Sequence, residues 1–118
     1  MIRANELRIG NLVWEDYGGY YEVLMVSPNS VDLVKPLMSI SGRYLIEQIN
    51  PILLTEEWLL KLGFNKFKNY NDFSRKGVII HGRKRGFVLR KSVPVIKYVH
   101  QLQNLYFALT GEELTMEA

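Results

Sequence analysis

The stretch from Tyr98 to Leu109 carries the clearest period in the chain, and it limits what the rest can be. Tyr98, Leu102, Leu105, Tyr106 and Leu109 share one side of a helix at 3.6 residues per turn, and Gly111 follows as a stop. An apolar stripe of this kind needs a second layer to cover it. The preceding chain offers mainly strands, so the expected fold class is α+β. His100, Gln103 and Phe107 lie off the stripe. They form a candidate interaction surface, with Phe107 covered either by another layer of the same chain or by a homodimer partner.

The strand signals are short and bounded by turns. Leu12-Val13-Trp14 follows Gly10-Asn11, and Tyr20 to Val26 follows Gly18-Gly19, a hairpin signal. Ser27-Pro28-Asn29-Ser30 reads as a turn, and Val31-Asp32-Leu33-Val34 alternates as a half-buried strand does. Three such strands describe a small antiparallel meander, and an SH3-like partial barrel is its natural form. A short helix over 56–62 comes next. Thr55 stands at its N-cap, Glu56 and Glu57 place negative charge in the first turn, and Leu54 with Leu59 forms a hydrophobic staple. Gly63 supplies the left-handed residue that ends it. Residues 77–81 and 86–90 then read as a β-hairpin about the turn Gly82-Arg83-Lys84-Arg85, with a further strand at Val95-Ile96-Lys97. With 118 residues and no linker or repeat, a single domain over 1–118 is expected.

Charge is unevenly distributed. Residues 61–97 hold eleven of the fifteen Lys and Arg against one acid, Asp72, a net of +10. The flanking parts are both acidic. Such a segment either meets acidic parts of its own fold or faces an anionic partner. Within it, Arg83, Lys84, Arg85, Arg90 and Lys91 are the candidate residues for binding nucleic acid or another anion. Phe64, Phe67, Tyr70 and Phe73, interleaved with Lys66 and Lys68, offer stacking surfaces to single strands. A solvated charged turn over core aromatics accounts for the same residues more plainly.

Other chemistry lacks its residues. There is no cysteine, which removes disulfides, thiolate zinc sites and thiol nucleophiles. His81 and His100 stand apart from any metal-ligand spacing, no serine occupies a Gly-x-Ser-x-Gly elbow, and Gly82 and Gly86 form no phosphate-cradling motif. Glu56-Glu57 marks a helix start and Glu112-Glu113 lies near the end of the chain. No enzyme activity, cofactor or metal is therefore expected. Neither a signal peptide nor a membrane-spanning run is visible, so a cytoplasmic protein without a membrane partner is expected.

Three segments carry a likeness to other proteins. Ala4-Asn5-Glu6-Leu7-Arg8-Ile9-Gly10-Asn11, then residues 49–64 from Ile49-Asn50-Pro51-Ile52 through Leu54-Thr55-Glu56-Glu57-Trp58 to Gly63-Phe64, and residues 98–114 around His100-Gln101-Leu102-Gln103-Asn104-Leu105 occur in that order. Together they resemble a family of small proteins, of unassigned activity, widespread in Bacteroides and related gut bacteria and often carried by prophages or other mobile elements. The resemblance implies an origin and an architecture, and transfers no functional residues. Two functions are carried forward. One is a non-enzymatic interaction module with a protein partner or a second copy. The other is a nucleic-acid or nucleotide binder acting through residues 61–97.

Overall fold

The computed structural model describes residues 2–16, 18–35, 40–68, 70–89 and 95–116. They fall into two compact units, Met1–Ile52 and Leu53–Ala118. Each is built on an antiparallel sheet and both α-helices belong to the second, so the chain is α+β as its sequence implies.

The first unit contains β1 (Leu12–Glu15), β2 (Gly19–Val26), β3 (Ser30–Lys35), β4 (Ile40–Leu45) and β5 (Ile49–Asn50). Their order in the sheet is β4-β3-β2-β1-β5. The first four form a meander, and a 3-10 turn at Ile46–Gln48 leads to β5, which pairs with the far edge of β1. Ile2, Leu7, Val13, Tyr21, Val23, Val31, Leu33 and Ile49 make the core. A bulge at Leu24 interrupts the β2–β3 register, since Val23 faces Leu33 while Met25 already faces Asp32. Strict alternation would send Met25 inward with Tyr21 and Val23. The extra residue instead leaves Leu24 and Met25 both exposed and brings Val26 against the core. The sequence signals three strands here, and β4 and β5 are additions to them.

The second unit contains α1 (Glu56–Lys61), β6 (Asn65–Lys66), β7 (Asp72–Arg75), β8 (Val78–Arg83), β9 (Gly86–Val88) and α2 (Val99–Thr110), with strand order β6-β7-β8-β9. Helix α1 starts and stops as its residues dictate. Thr55 Oγ1 accepts the Trp58 N–H at 3.2 Å, and Leu54 and Leu59 are both buried. At the other end Gly63 has φ +88°. The Phe64 N–H reaches the Leu59 carbonyl and the Gly63 N–H reaches that of Leu60, each at 3.0 Å. This pair of bonds is a Schellman motif.

The hairpin is larger than expected. Lys76 and Gly77, both at positive φ, form the two-residue turn that joins β7 to β8. The second turn is shorter than its sequence signal: Gly82 and Arg83 belong to β8, which leaves Lys84 and Arg85 as the turn. Phe73 faces Ile80 across the ladder and both are buried, while Ser74 and Ile79 occupy the opposite face. Val95-Ile96-Lys97 contributes one bridge rather than a strand, with Ile96 exchanging two backbone bonds with Phe87.

Helix α2 is in its expected place, but its buried side is turned. Gln101 Oε1 accepts the N–H groups of Lys97 and Tyr98 at its start, and Gly111, at φ +75°, ends it. The buried residues are Val99, His100, Leu102, Gln103 and Tyr106, whereas Leu105 is half-buried and Leu109 exposed. At roughly 100° per residue, the buried arc is centred about 70° from Leu102 toward Gln103. The cause lies beyond the helix: Leu114 is fully buried, and Gln103 Nε2 donates to its carbonyl at 3.0 Å. This corrects the expected interaction surface. His100 and Gln103 lie inside, and of the three only Phe107 is exposed.

Candidate nucleic-acid interface

Antiparallel pairing decides which loops of the second sheet meet. Asp72, the first residue of β7, faces His81, and Arg83, the last residue of β8, faces Gly86. The β6–β7 connection and the β8–β9 turn therefore emerge at the same end of the sheet. One close contact holds them together: the Gly82 N–H donates to the Asn71 carbonyl at 2.7 Å. A Cβ on Gly82 would lie 2.2 Å from Asn71 Nδ2 and 3.0 Å from the Asn71 carbonyl oxygen, so a side chain here would push the Asn71 amide aside and press on the backbone contact.

The aromatics of the segment divide between two roles. Phe64 and Phe73 are buried, with rings 6.1 Å from those of Tyr106 and Phe87 respectively. Phe67 and Tyr70 are 40% and 69% exposed. The Phe67 N–H reaches the Asp72 carbonyl at 2.9 Å, and the Tyr70 N–H reaches the Phe67 carbonyl at 3.3 Å. These two rings thus sit on one tight turn, with exposed Lys68 between them.

The cations divide in the same way. Arg75 is structural: it donates to the Tyr106 hydroxyl and to the Leu62 carbonyl, each at 3.2 Å. Lys61 pairs with Glu57, Lys66 with Glu56 and Lys76 with Glu112. The hydrogen bond and charge of Lys76 hold the Glu112 carboxyl below its ordinary range, and Glu112 raises the Lys76 ammonium in return. Asp72, the acid inside the basic segment, places Oδ1 3.0 Å from His81 Nδ1 and accepts its hydrogen in the tautomer that carries one there. Among the described residues, no carboxylate pairs with Lys68, Arg83, Lys84 or Arg85. All four are exposed. The Arg83 guanidinium is steadied by the Gly82 carbonyl at 2.7 Å.

Of the sequence-derived candidates, Arg83, Lys84 and Arg85 come together at this end, while Arg90 and Lys91 lie outside the described residues. The Asn71–Gly82 clasp escaped the sequence reading. Its signal was a glycine within the hairpin, between His81 and Arg83, a mark of close backbone approach. Among the described residues no group of three or more metal-ligating side chains is assembled, and no helix is long and apolar enough to cross a membrane. No protein-family model, curated protein or solved structure matches the chain.

Proposed function

We propose that this protein is a non-enzymatic binding module whose second unit binds nucleic acid through Lys68, Arg83, Lys84 and Arg85. One observation carries the reading: four cations without carboxylate partners share a sheet end, while Glu56, Glu57 and Glu112 pair with other lysines and Asp72, at the same end, is bonded to His81. A row of phosphates supplies the missing negative charge and releases its counterions on binding. The alternative built on the α2 surface loses His100 and Gln103 to the interior. For the first unit we read an SH3-like partial barrel. The sheet order β4-β3-β2-β1-β5, the bulged β2 and the 3-10 turn before β5 support that reading.

The test is binding of labelled DNA and RNA oligonucleotides by fluorescence anisotropy across a salt series. Four phosphate contacts imply a loss of about 50-fold for single strands, and about 150-fold for duplex, between roughly 50 and 200 mM salt. The triple variant Arg83→Ala, Lys84→Ala, Arg85→Ala should weaken binding and flatten the salt slope to near that of a single contact. No binding at about 50 mM salt, or an unchanged slope in the triple variant, overturns the proposal.

A further inference from the structure

Phosphate contacts alone do not distinguish a duplex from a single strand, but the two rings on the β6–β7 turn do. Phe67 and Tyr70 stand every third residue in line with Phe64 and Phe73, yet the fold buries the outer pair and exposes the inner pair. In a duplex the faces of the bases are covered by their neighbours, and only an unpaired base has a face to offer an aromatic ring.

The spacing suits a short strand. The β6–β7 turn lies between the first two strands of the sheet and the β8–β9 turn between the last two, so their centres are two strand spacings apart, about 10 Å. An extended single strand covers that distance within a few nucleotides. One or two bases on the aromatic turn then leave the following phosphates over Arg83, Lys84 and Arg85. Lys68, between the rings, meets the phosphate that joins the stacked bases.

We infer that the ligand is single-stranded nucleic acid, held over about five nucleotides by bases stacked on Phe67 and Tyr70 and by phosphates on Lys68 and the Arg83–Arg85 turn. This rests on the nucleic-acid reading above and adds the strandedness of the ligand and the site of the bases. The Asn71–Gly82 clasp sets the distance between the two turns.

The test compares a labelled 12-mer single strand, as DNA and as RNA, with a blunt duplex of the same sequence at about 50 mM salt. The single strands should bind at least tenfold tighter than the duplex. Phe67→Leu and Tyr70→Leu should each lower single-strand affinity by about 5- to 150-fold and leave duplex affinity unchanged. Tyr70→Phe should retain wild-type affinity. Tyr70→Trp supplies a direct readout, because stacking on a base should quench its fluorescence with single strands and not with duplex. Equal affinity for duplex and single strand, with no effect of the leucine variants, overturns this inference while leaving the nucleic-acid reading intact. Displacement of the oligonucleotide by poly-glutamate as readily as by unlabelled single strand also overturns it, because a carboxylate polymer has no base to stack. If neither duplex nor single strand binds, both proposals fail.

Discussion

The buried tail of the second unit gives a prediction whose size follows from its geometry. Leu114 is fully buried, and its carbonyl accepts a bond from Gln103 Nε2 at 3.0 Å. Leu114→Ala removes the apolar side chain and leaves space that the surroundings only partly refill, at a cost of about 2–5 kcal/mol. Gln103→Met keeps the length of the side chain but leaves a buried carbonyl without its donor, costing about 1–3 kcal/mol. The two effects are linked through the tail. Leu114→Asp places a carboxylate where it cannot stay buried unpaired, so the tail leaves its seat and its carbonyl meets water. In that background Gln103→Met should cost clearly less than in the wild-type protein.

Urea denaturation read by Trp58 fluorescence, in a Trp14→Phe background so that the signal comes from the second unit, measures each variant. Thermal melts of the same variants check the size: for a unit of this length each kcal/mol corresponds to about 4–8 °C in Tm, so Leu114→Ala should lower the melting temperature by at least about 8 °C. A loss within about 0.5 kcal/mol for Leu114→Ala would be that of a surface position and would refute the docked tail. An equal cost of Gln103→Met in both backgrounds would refute the link between side chain and carbonyl.

Gly82→Ala places a Cβ 2.2 Å from Asn71 Nδ2 and 3.0 Å from the Asn71 carbonyl oxygen, so the Asn71 side chain must move and the clasp between the two turns should loosen. Oligonucleotide affinity should fall several-fold with a stability loss of about 1 kcal/mol or more; unchanged affinity would remove the clasp from the argument. The Lys76–Glu112 pair predicts a pH dependence. The carboxyl of Glu112 is held below its ordinary range, so its contribution is present above the unfolded carboxylate range and is lost as pH falls through the folded value. The ammonium is raised, so its contribution is present below the ordinary lysine range and is lost as pH rises through its own folded value. An NMR titration of Glu112 should show its midpoint move up in Lys76→Gln. No movement would mean that the pair does not persist in solution.

What the sequence made legible was local. The whole of α1 follows from residues within a few positions of one another: Thr55 and Trp58, Leu54 and Leu59, Gly63 and Phe64. Strand β4 escaped notice because Ser41, Gly42 and Arg43 carry weak strand preference, and the strand exists by pairing along the full length of β3, from Ser30 opposite Leu45 to Lys35 opposite Ile40. The turned face of α2 was equally invisible. Polar His100 and Gln103 read as outward, and only the return of Leu114, eleven residues after Gln103, brings Gln103 inside. At the candidate site, the charge excess and the aromatic spacing stood in the sequence. Which cations find carboxylates, and which rings remain outside, depends on strand pairing between residues that the sequence does not mark as partners.

That sorting is the ground on which we propose a binding site rather than a solvated charged turn. Charge kept for solubility works wherever it is placed, and dispersing it lowers its self-repulsion. Lys68, Arg83, Lys84 and Arg85 instead gather at one sheet end, where turns about 10 Å apart lie within a Debye length at moderate salt. Exposed Phe67 and Tyr70 between and beside them add nothing to solubility. In the same unit Lys61, Lys66 and Lys76 each have a carboxylate partner, and exposed Lys97 is, among the described residues, a further cation without one. On the function we propose, a cluster that combines uncompensated positive charge with uncovered aromatic faces meets a partner that has both phosphates and exposed bases. A single-stranded nucleic acid supplies both in one molecule, which is why removal of the rings and removal of the cations should weaken the same complex in separable ways: the cations through its salt slope, the rings through its preference for unpaired bases.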